Sequence, residues 1–333
     1  MTIAEKALIA QLRRMAAQGK NSAIRTGIGD DCAVLRLPSR RGKDKDHKNQ
    51  DTLVTTDLSL EGVHFRLDWH PPESVGHRCL ARGLSDIAAM GGEPLAAFLS
   101  LALPTESRQS WVRGFANGMI RLAERYGVTL AGGDTAESPH GIVADIVVIG
   151  TAPAGEAALR SGARPGDLIY VSGYLGGSAA AVVKMKMRKN PRGRLNPRDY
   201  PRHFFPEPRI GVGRILREKG LASAMIDTSD GLSTDLGHIC EESGVGAELQ
   251  GEAIPRAGVG KPAKEVDLQL ALHGGEDYEL LFTSPSGKRI PSHIAGVPVT
   301  QIGQITRGRT IFLNEHGTIW SKLEPRGWEH FRK

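Results

Sequence analysis

The sequence has 333 residues, of which 40% are hydrophobic and 24% are charged, and its formal net charge is +6 at pH 7. This length exceeds that of one typical domain, so we expect two domains. No apolar run approaches the roughly 20 residues that span a bilayer, and the first 20 residues lack the apolar centre of a signal peptide. These features argue against a membrane protein and predict a cytoplasmic one with no membrane partner.

Cysteine usage predicts the same compartment. Cys32, Cys79 and Cys240 are widely spaced and form no Cys-x-x-Cys pair. This pattern argues against a zinc site and against a disulfide framework. We therefore expect a reduced, cytosolic protein.

The positive charge is concentrated in two segments. Residues 36–48 carry a net charge of +4 and residues 184–209 carry +7, so the rest of the chain is acidic at −5. Such runs usually form solvated loops, although the second could attract a polyanionic ligand. Neither run carries a nucleic-acid recognition motif, so nucleic-acid binding is only a weaker alternative.

Helical and strand patterns alternate along the first half of the chain. The expected elements are a helix over 2–18, a strand over 51–60, a helix from Pro72 to the glycines at 91 and 92, a strand over 94–104, a helix over 107–126 and a strand over 141–153. A stretch rich in proline and glycine over 151–166 then marks the domain boundary.

A second series of elements follows this boundary. Its expected strands lie over 168–173, 222–227 and 278–283, and its expected helices over 176–189, 207–219 and 231–243. This alternation is typical of an α/β (α+β) protein. We therefore predict an N-terminal domain over residues 1–152 and a C-terminal domain over residues 153–333.

Acidic residues follow several apolar segments, which predicts six acidic turns. These turns contain Asp30 with Asp31, Asp57, Asp86, Asp134, Asp227 with Asp230, and Glu276 with Asp277. Any one of them could simply cap a helix. Together they form an oxygen-only ligand set that suits Mg²⁺ rather than zinc. Clustered carboxylates would repel one another unless cations lay between them, and no Walker or kinase-type glycine motif offers another phosphate site.

The motifs that carry these acids occur in a specific order. They are "GIGDDCAVL" (27–35), "VTTDLSLEGVHF" (54–65), "LSDIAAMGGEP" (84–94), "LAGGDT" (130–135), "RSGARPGD" (160–167), "IDTSDGLSTDLGHI" (226–239), "GGEDYELLFT" (274–283) and "GWEHF" (327–331). This ordered set resembles the thiamine-monophosphate kinase family, which belongs to the superfamily of aminoimidazole ribonucleotide synthetase and selenide water dikinase. The chain departs from the family pattern in two basic insertions, at 39–50 and 186–204.

The resemblance implies an aminoimidazole-ribonucleotide-synthetase-like fold in which the N-terminal sheet pairs with that of a second copy, giving a homodimer with a barrel. It also implies several Mg²⁺ ions, and ATP bound near the cleft between the domains. The matching metal ligands are Asp31, Thr55, Thr56, Asp57, Asp86, Asp134, Asp227 and Asp230. The matching ATP contacts are Gly133, Asp134, Arg160 and Ser229, whereas Asp30 matches only a supporting neighbour.

The resemblance also implies that His64, Glu276 and Trp328 bind thiamine phosphate. The implied reaction is direct in-line transfer of the γ-phosphoryl group of ATP to thiamine monophosphate, without a phosphoenzyme. Because a phosphate monoester is already largely ionised at neutral pH, no general base is required and none is assigned. From the residues alone, His64 could instead be structural, and Trp328 could anchor the end of the chain.

Two other functions are compatible with the sequence. One is another ATP-using member of the superfamily, such as a ligase of purine synthesis, and the other is a basic nucleic-acid-binding protein. The segments "GVHF" and "GWEHF" favour the kinase over the ligase, so thiamine monophosphate and ATP are the expected partners and nucleic acid is not.

Overall fold

The computed structural model describes residues 4–16, 21–36, 50–187, 195–315, 317 and 320–331. In the first half of the chain the helices are α1 (Glu5–Ala16), α2 (Pro72–Ala89) and α3 (Gln109–Arg125). The strands there are β1 (Ile24–Thr26), β2 (Ala33–Leu35), β3 (Gln50–Leu60), β4 (Glu93–Leu103), β5 (Thr129–Glu137) and β6 (Val143–Pro153). Across the described ranges, no helix combines the length and the apolar character of a membrane span.

The first sheet has the strand order β1-β2-β3-β6-β4-β5, and its neighbours are antiparallel except for the parallel pair of β4 and β5. Alternate residues of β6, from Ala144 to Ala152, are buried, and α2 packs on that face. The opposite face is open: Leu58 and Leu95 are 50% and 59% exposed, and every residue of β5 is exposed. The two edge strands do not pair with each other, so the described chain forms an open sheet and contains no closed barrel.

The second half of the chain forms a mixed sheet with several helices. Its helices are α4 (Gly177–Lys186), α5 (Pro201–Phe204), α6 (Ile210–Glu218), α7 (Leu232–Ser243) and α8 (Leu268–His273). Its strands are β7 (Leu168–Ser172), β8 (Ala224–Asp227), β9 (Gly246–Gln250), β10 (Gly258–Val259), β11 (Lys264–Glu265), β12 (Leu280–Ser284), β13 (His293–Ile294), β14 (Val297–Thr306), β15 (Ile311–Asn314) and β16 (Trp320–Lys322). The sheet order is β16-β15-β9-β14-β7-β12-β8, with β13 added to β14, while β10 and β11 pair separately.

The two halves share a hydrophobic core. One cluster of buried residues joins Leu84 and Ile87 of α2 to Val212 and Leu216 of α6. The backbones of these two helices approach so closely that a Cβ atom on Gly213 would lie 1.9 Å from the carbonyl oxygen of Ala88. Only glycine permits such an approach. The α/β (α+β) class is confirmed, whereas the boundary between residues 152 and 153 stays a prediction.

Three of the six predicted acidic turns are wrong. Asp57 lies inside β3, Asp86 inside α2 and Asp134 inside β5. The glycines before Asp134 do not make a turn because β5 pairs along its length with β4. Gly133 has a φ of 148°, and a Cβ atom there would lie 1.8 Å from the carbonyl oxygen of Leu99. Gly133 therefore permits a close approach of two strands, which is a common role of glycine besides forming turns.

The basic insertions were expected to be loops. The first, at 39–50, lies outside the described residues except for Gln50, which begins β3. The second, at 186–204, is described only at 186–187 and from residue 195 onwards. Its last part forms the short helix α5, where His203 and Phe204 are fully buried. For that part the expectation of a solvated loop is wrong, because its apolar residues pack against Met185 and Leu195.

Candidate active site

A cleft of about 680 Å³ opens between the two halves of the chain. Its lining includes five of the predicted metal and ATP residues, which are Asp57, Asp86, Asp227, Ser229 and Asp230. The same lining includes all three predicted substrate residues, which are His64, Glu276 and Trp328. The fold therefore brings together, in one cleft, residues that lie in distant motifs of the sequence.

Three carboxylates meet beside this cleft. Asp31, Asp86 and Asp227 each contribute one oxygen to a group whose members all lie within 4.8 Å of one another. Asp31 precedes β2, Asp86 lies in the last turn of α2, and Asp227 ends β8. Because burial disfavours the charged form, the pKa of Asp227 is raised to about 8, and those of Asp31 and Asp86 are raised as well. Neighbouring carboxylates add to this effect at Asp227 and Asp86.

Few protein donors neutralise the three carboxylates. Arg160 Nη2 donates to Asp31 Oδ1 at 2.5 Å, Ser85 Oγ donates to Asp227 Oδ2 at 2.6 Å, and Thr55 Oγ1 donates to Asp86 Oδ2. Asp31 Oδ2 is buried and has no hydrogen-bond partner in the described structure. An orphaned, buried carboxylate oxygen is costly, and an oxygen-only cluster is the donor set that Mg²⁺ prefers. The residues present therefore fit a hard divalent cation.

Asp30 supports this cluster rather than joining it. Its carboxylate accepts the backbone N–H groups of Asp31, at 3.1 Å, and of Arg160, at 3.3 Å. Burial and the neighbouring Asp31 raise the pKa of Asp30 to about 7. The adjacent aspartates "DD" thus divide their roles, because the first fixes the loop backbone and the second faces the cluster.

The residues at 55–57 are divided between the two faces of β3. Thr55 bonds to Asp86, and Asp57 lines the cleft. Thr56 is exposed, and its Oγ1 donates to Asp145 Oδ1 of β6 at 2.8 Å. Because successive side chains of a strand point to opposite faces, the Thr56 side chain is not brought to the cluster. Only Thr55 and Asp57 of this motif lie on the cleft side.

Gly133 and Asp134 lie apart from the cluster within one chain. Asp134 of β5 is aligned with Ser100 of β4. Across the next two strand pairs, Ser100 is aligned with Asp145 of β6, and Asp145 with Leu58 of β3. Three strand spacings separate Asp134 from β3, or about 14 Å. Asp134 is exposed on the edge strand, so the chain alone does not bring it to Asp31, Asp86 and Asp227.

The turn after β8 carries the predicted nucleotide residues Ser229 and Asp230, and both line the cleft. Burial, together with Glu5 of α1, raises the pKa of Asp230 to about 6. The carbonyl groups of this turn bind other motifs: Ser229 O accepts the N–H of Glu276, and Asp230 O accepts the N–H of Trp328. The turn therefore joins the nucleotide residues to the predicted substrate residues.

The structure defines the protonation of His64 and the exposure of Trp328, two of the predicted substrate residues that line the cleft. The N–H of Leu60 donates to Nδ1 of His64 at 2.9 Å, which leaves the proton of the neutral ring on Nε2. Burial, followed by the charge of Arg82, lowers the pKa of His64 to about 3, so the ring is neutral at pH 7. Trp328 is 51% exposed, and its ring meets that of His330 edge-on at 5.6 Å.

Glu276 is held by two arginines that sequence reasoning missed. Arg78 and Arg82 of α2 each donate from Nη2 to Glu276 Oε1 at 2.6 Å. Burial acts to raise the pKa of Glu276, but these two guanidinium groups outweigh it and hold the pKa well below the usual value. A helical signal could have found them, because positions 78, 82 and 86 of α2 lie at successive turns of one helix face. His330 was also missed, although it belongs to the quoted segment "GWEHF" and lines the cleft.

Two family models match the sequence. The N-terminal domain of AIR synthase related proteins matches residues 29–152, and the C-terminal domain of the same family matches residues 164–314. Thiamine-monophosphate kinase of Salmonella typhimurium is 40% identical over 292 residues, which is 85% of each chain. The same enzyme of Escherichia coli K12 is 37% identical over 92% of each chain, and that of Bacillus subtilis is 35% identical over 94% of this chain and 95% of its own.

Solved structures match over nearly the whole chain. The structure of AaThiL complexed with AMPPCP and TMP has a TM-score of 0.81 at 31% identity and covers 98% of this chain and 97% of its own. Thiamine-monophosphate kinase from Stenotrophomonas maltophilia K279a has a TM-score of 0.72 at 33% identity and covers 95% of this chain and 98% of its own. The aminoimidazole-ribonucleotide-synthetase-like fold and the resemblance drawn from the motifs are confirmed, and the chain belongs to the thiamine-monophosphate kinase family.

Proposed function

We propose that this chain transfers the γ-phosphoryl group of ATP to the phosphate of thiamine monophosphate, giving thiamine diphosphate and ADP. The observation that carries the proposal is the single cleft in which the carboxylates Asp57, Asp86 and Asp227 face His64 and Glu276. Relatives that are 35–40% identical bear the name of this activity. We place the enzyme in the cytoplasm, as its lack of cysteine pairing suggests.

The reaction requires the neutralisation of phosphate charges rather than a general base. The acceptor is a phosphate monoester, which is largely ionised at pH 7. The main obstacle is therefore the repulsion between this anion and the polyphosphate of ATP. Transfer is almost entirely a matter of positioning and electrostatic stabilisation, and an in-line displacement without a phosphoenzyme requires no nucleophilic side chain.

Mg²⁺ ions would be held by Asp31, Asp57, Asp86 and Asp227, with Thr55 and Asp230 beside them. When bound, they would neutralise both the carboxylates and the phosphates. Ser85 and Thr55 orient two of these carboxylates in advance through their hydroxyl groups. Arg160 lies against Asp31, and its charge acts to lower the pKa of Asp230 in the turn after β8. This arginine would bind the phosphates of ATP.

The acceptor's rings would bind near Trp328. Thiamine carries a permanently cationic thiazolium ring, and the indole face is the best aromatic surface for a cation. Neutral His64 can donate from Nε2, since Nδ1 is already occupied by the N–H of Leu60. Glu276 would contribute through a carboxylate that two arginines fix in place.

We further infer a homodimer that completes the site. The open face of the first sheet exposes Leu58 and Leu95, and an exposed edge strand such as β5 invites pairing with a second chain. A barrel formed by two such sheets would cover this face. It would also bring Gly133 and Asp134 near the nucleotide bound by the partner. Within their own chain these residues lie on β5, away from the carboxylate cluster.

A ligase of purine synthesis is the other reading of this fold. Structures that contain HypE, a hydrogenase maturation protein, share the fold at only 16–20% identity, so the fold alone does not determine the reaction. The placement of Trp328 and His64 in the cleft favours the kinase. Nucleic-acid binding has no supporting feature in the cleft, and we propose no such role.

The proposed reaction is tested with purified protein, ATP, Mg²⁺ and a panel of acceptors. Thiamine monophosphate should give thiamine diphosphate, whereas thiamine, other phosphate monoesters and substrates of purine-synthesis ligases should give no product. Asp86→Asn should lower turnover by about 10²-fold or more, because a carboxylate of the cluster is lost. Glu324→Gln, which neutralises an exposed carboxylate beside Lys322, should leave turnover unchanged. Turnover of another acceptor at a higher rate would reject the proposal.

Trp328 gives a separate test of acceptor binding. Trp328→Ala should raise the KM for thiamine monophosphate roughly tenfold, the value of a cation–π contact of about 1–2 kcal/mol. The KM for ATP should hardly change, and Trp328→Phe should recover part of the loss. Steady-state kinetics with each substrate varied in turn measures this split. A lower melting temperature with normal KM values would instead make Trp328 a structural anchor.

The raised pKa of Asp227 predicts how the metal-free protein responds to pH. Between pH 7 and pH 8.5, Asp227 is ionised in the unfolded chain but partly protonated in the folded one, whose pKa is about 8. The folded state then binds more protons, so stability should fall as the pH rises. The buried His64 opposes this slope only near pH 7, where roughly a quarter of its rings are still protonated in the unfolded chain, because its ring is neutral in the folded one.

Melting curves in EDTA measure this slope. Asp227→Asn should flatten it and should raise the melting temperature at pH 8.5, because like-charge repulsion is relieved. Mg²⁺ should raise the melting temperature of the wild type and remove most of the slope. A wild-type slope that Asp227→Asn does not change would contradict the assignment of this carboxylate.

Mixed dimers test whether Asp134 acts in the partner's site. Asp86→Asn and Asp134→Asn homodimers should both be nearly inactive. If Asp134 serves the partner, one site of each mixed dimer contains both native carboxylates, so an equal random mixture should regain about a quarter of the wild-type activity. If the mixture stays inactive while sedimentation shows mixed dimers, Asp134 acts within its own chain. A monomer in sedimentation would reject the dimer itself.

A further inference from the structure

We propose that Arg82 binds the phosphate of the acceptor substrate, a dianionic phosphate monoester, and is thus a further catalytic residue. The proposal rests on the function proposed above. It assigns a phosphate-binding cation to the acceptor, whereas Arg160 is the arginine proposed for the nucleotide.

Arg82 lies between the two groups of site residues. It belongs to α2, one helical turn before Asp86, and it lines the cleft. Its charge acts on both groups. Burial has the largest effect on the pKa of Asp57 and on that of His64, and the charge of Arg82 has the second largest effect on each. Because the acceptor's phosphate must reach the transferred phosphoryl group near the carboxylate cluster, this is the region through which that phosphate has to pass.

The guanidinium group is fixed before any substrate arrives. Nη1 donates to the carbonyl oxygen of Leu58 at 3.1 Å, and Nη2 donates to Glu276 Oε1 at 2.6 Å. Glu276 itself has a φ of 67°, a left-handed backbone conformation that is unfavourable for a non-glycine residue. Such strain persists where the surroundings hold a residue in place, and here the two arginines do so. The group is therefore preorganised, as transition-state stabilisation requires.

The charges of Arg78, Arg82 and Glu276 do not balance. Arg78 and Arg82 share the single carboxylate of Glu276, and their side chains are only 3% and 9% exposed. This group of three carries one excess positive charge. A buried charge without a partner is destabilising, and Arg82 Nε is also buried without a hydrogen-bond partner in the described structure. Asp57 attracts Arg82 without a hydrogen bond to it, and Asp57 is a candidate cation ligand. An anion in the cleft would balance the charge.

The chemistry of the reaction identifies this anion. A planar guanidinium group matches the oxygens of a phosphate, and it is a stronger, more directional partner than an ammonium group. The polyphosphate of ATP is expected beside Arg160 and the turn of Ser229, so the acceptor's phosphate is the anion left for Arg82. Contact with Arg82 would also reduce the repulsion between the two substrates as they approach.

Arg78 supplies a matched control for the experiment. It donates to the same Glu276 oxygen at the same distance of 2.6 Å, but it does not line the cleft. Calorimetry should give the dissociation constants of thiamine monophosphate and of thiamine, which lacks the phosphate, for the wild type, Arg82→Lys and Arg78→Lys. The ratio of the two constants isolates the contribution of the phosphate.

We expect the wild type to bind thiamine monophosphate at least tenfold more tightly than thiamine. Arg82→Lys should reduce this ratio by about tenfold and lower kcat, whereas Arg78→Lys should keep the ratio within about twofold even if its melting temperature falls. If Arg82→Lys does not fold, Arg82→Gln takes its place. An unchanged ratio in the Arg82 variant, an equal loss in the Arg78 variant, or a wild-type ratio near one would overturn the assignment. A wild type that makes no thiamine diphosphate would instead reject the proposed function.

Discussion

Repulsion between buried carboxylates is the constraint on which this site depends. Asp31, Asp86 and Asp227 come together from three separate parts of the chain, and burial raises the pKa of each. Arg160, Ser85 and Thr55 donate hydrogen bonds to them, and of these three side chains only the arginine carries a positive charge. Such a cluster would be selected against if stability alone mattered. The cluster is explained if bound cations, which in turn bind phosphates, remove the repulsion between its carboxylates.

Helix α2 connects the two ends of that architecture. It carries Asp86 to the cluster and places Arg78 and Arg82 beneath Glu276 on the same helix face. Its position is fixed by very close packing on both sides. A Cβ atom on Gly76 would lie 1.8 Å from the carbonyl oxygen of Phe115, and one on Gly83 would lie 2.5 Å from Val148. A helix buried this tightly can hold charges at precise positions, which loops do less well.

The sequence was sufficient for the fold class and for the family, because these follow from motifs of adjacent residues. The roles of the site residues stay predictions, although eight of those residues line one cleft. Pattern reasoning failed where the structure depends on long-range pairing. Asp57 and Asp134 look like turn residues locally, yet partner strands extend β3 and β5 through them. Thr56 matches a ligand motif, but strand alternation places its side chain on the other face. Arg78 and Arg82 carry no motif of their own, since their role depends on Glu276, which is almost 200 residues away.

Metal binding should expel protons from the carboxylate cluster, because a cation displaces the protons that repulsion holds there. Calorimetric titration of Mg²⁺ into the metal-free protein at pH 7, in two buffers of different ionisation enthalpy, counts those protons directly. With the pKa of Asp227 near 8 and that of Asp30 near 7, saturable binding should release about one proton or more per chain, and Asp227→Asn should release fewer. Equal heats in both buffers, or no saturable binding of Mg²⁺, would contradict a carboxylate cluster built to hold cations.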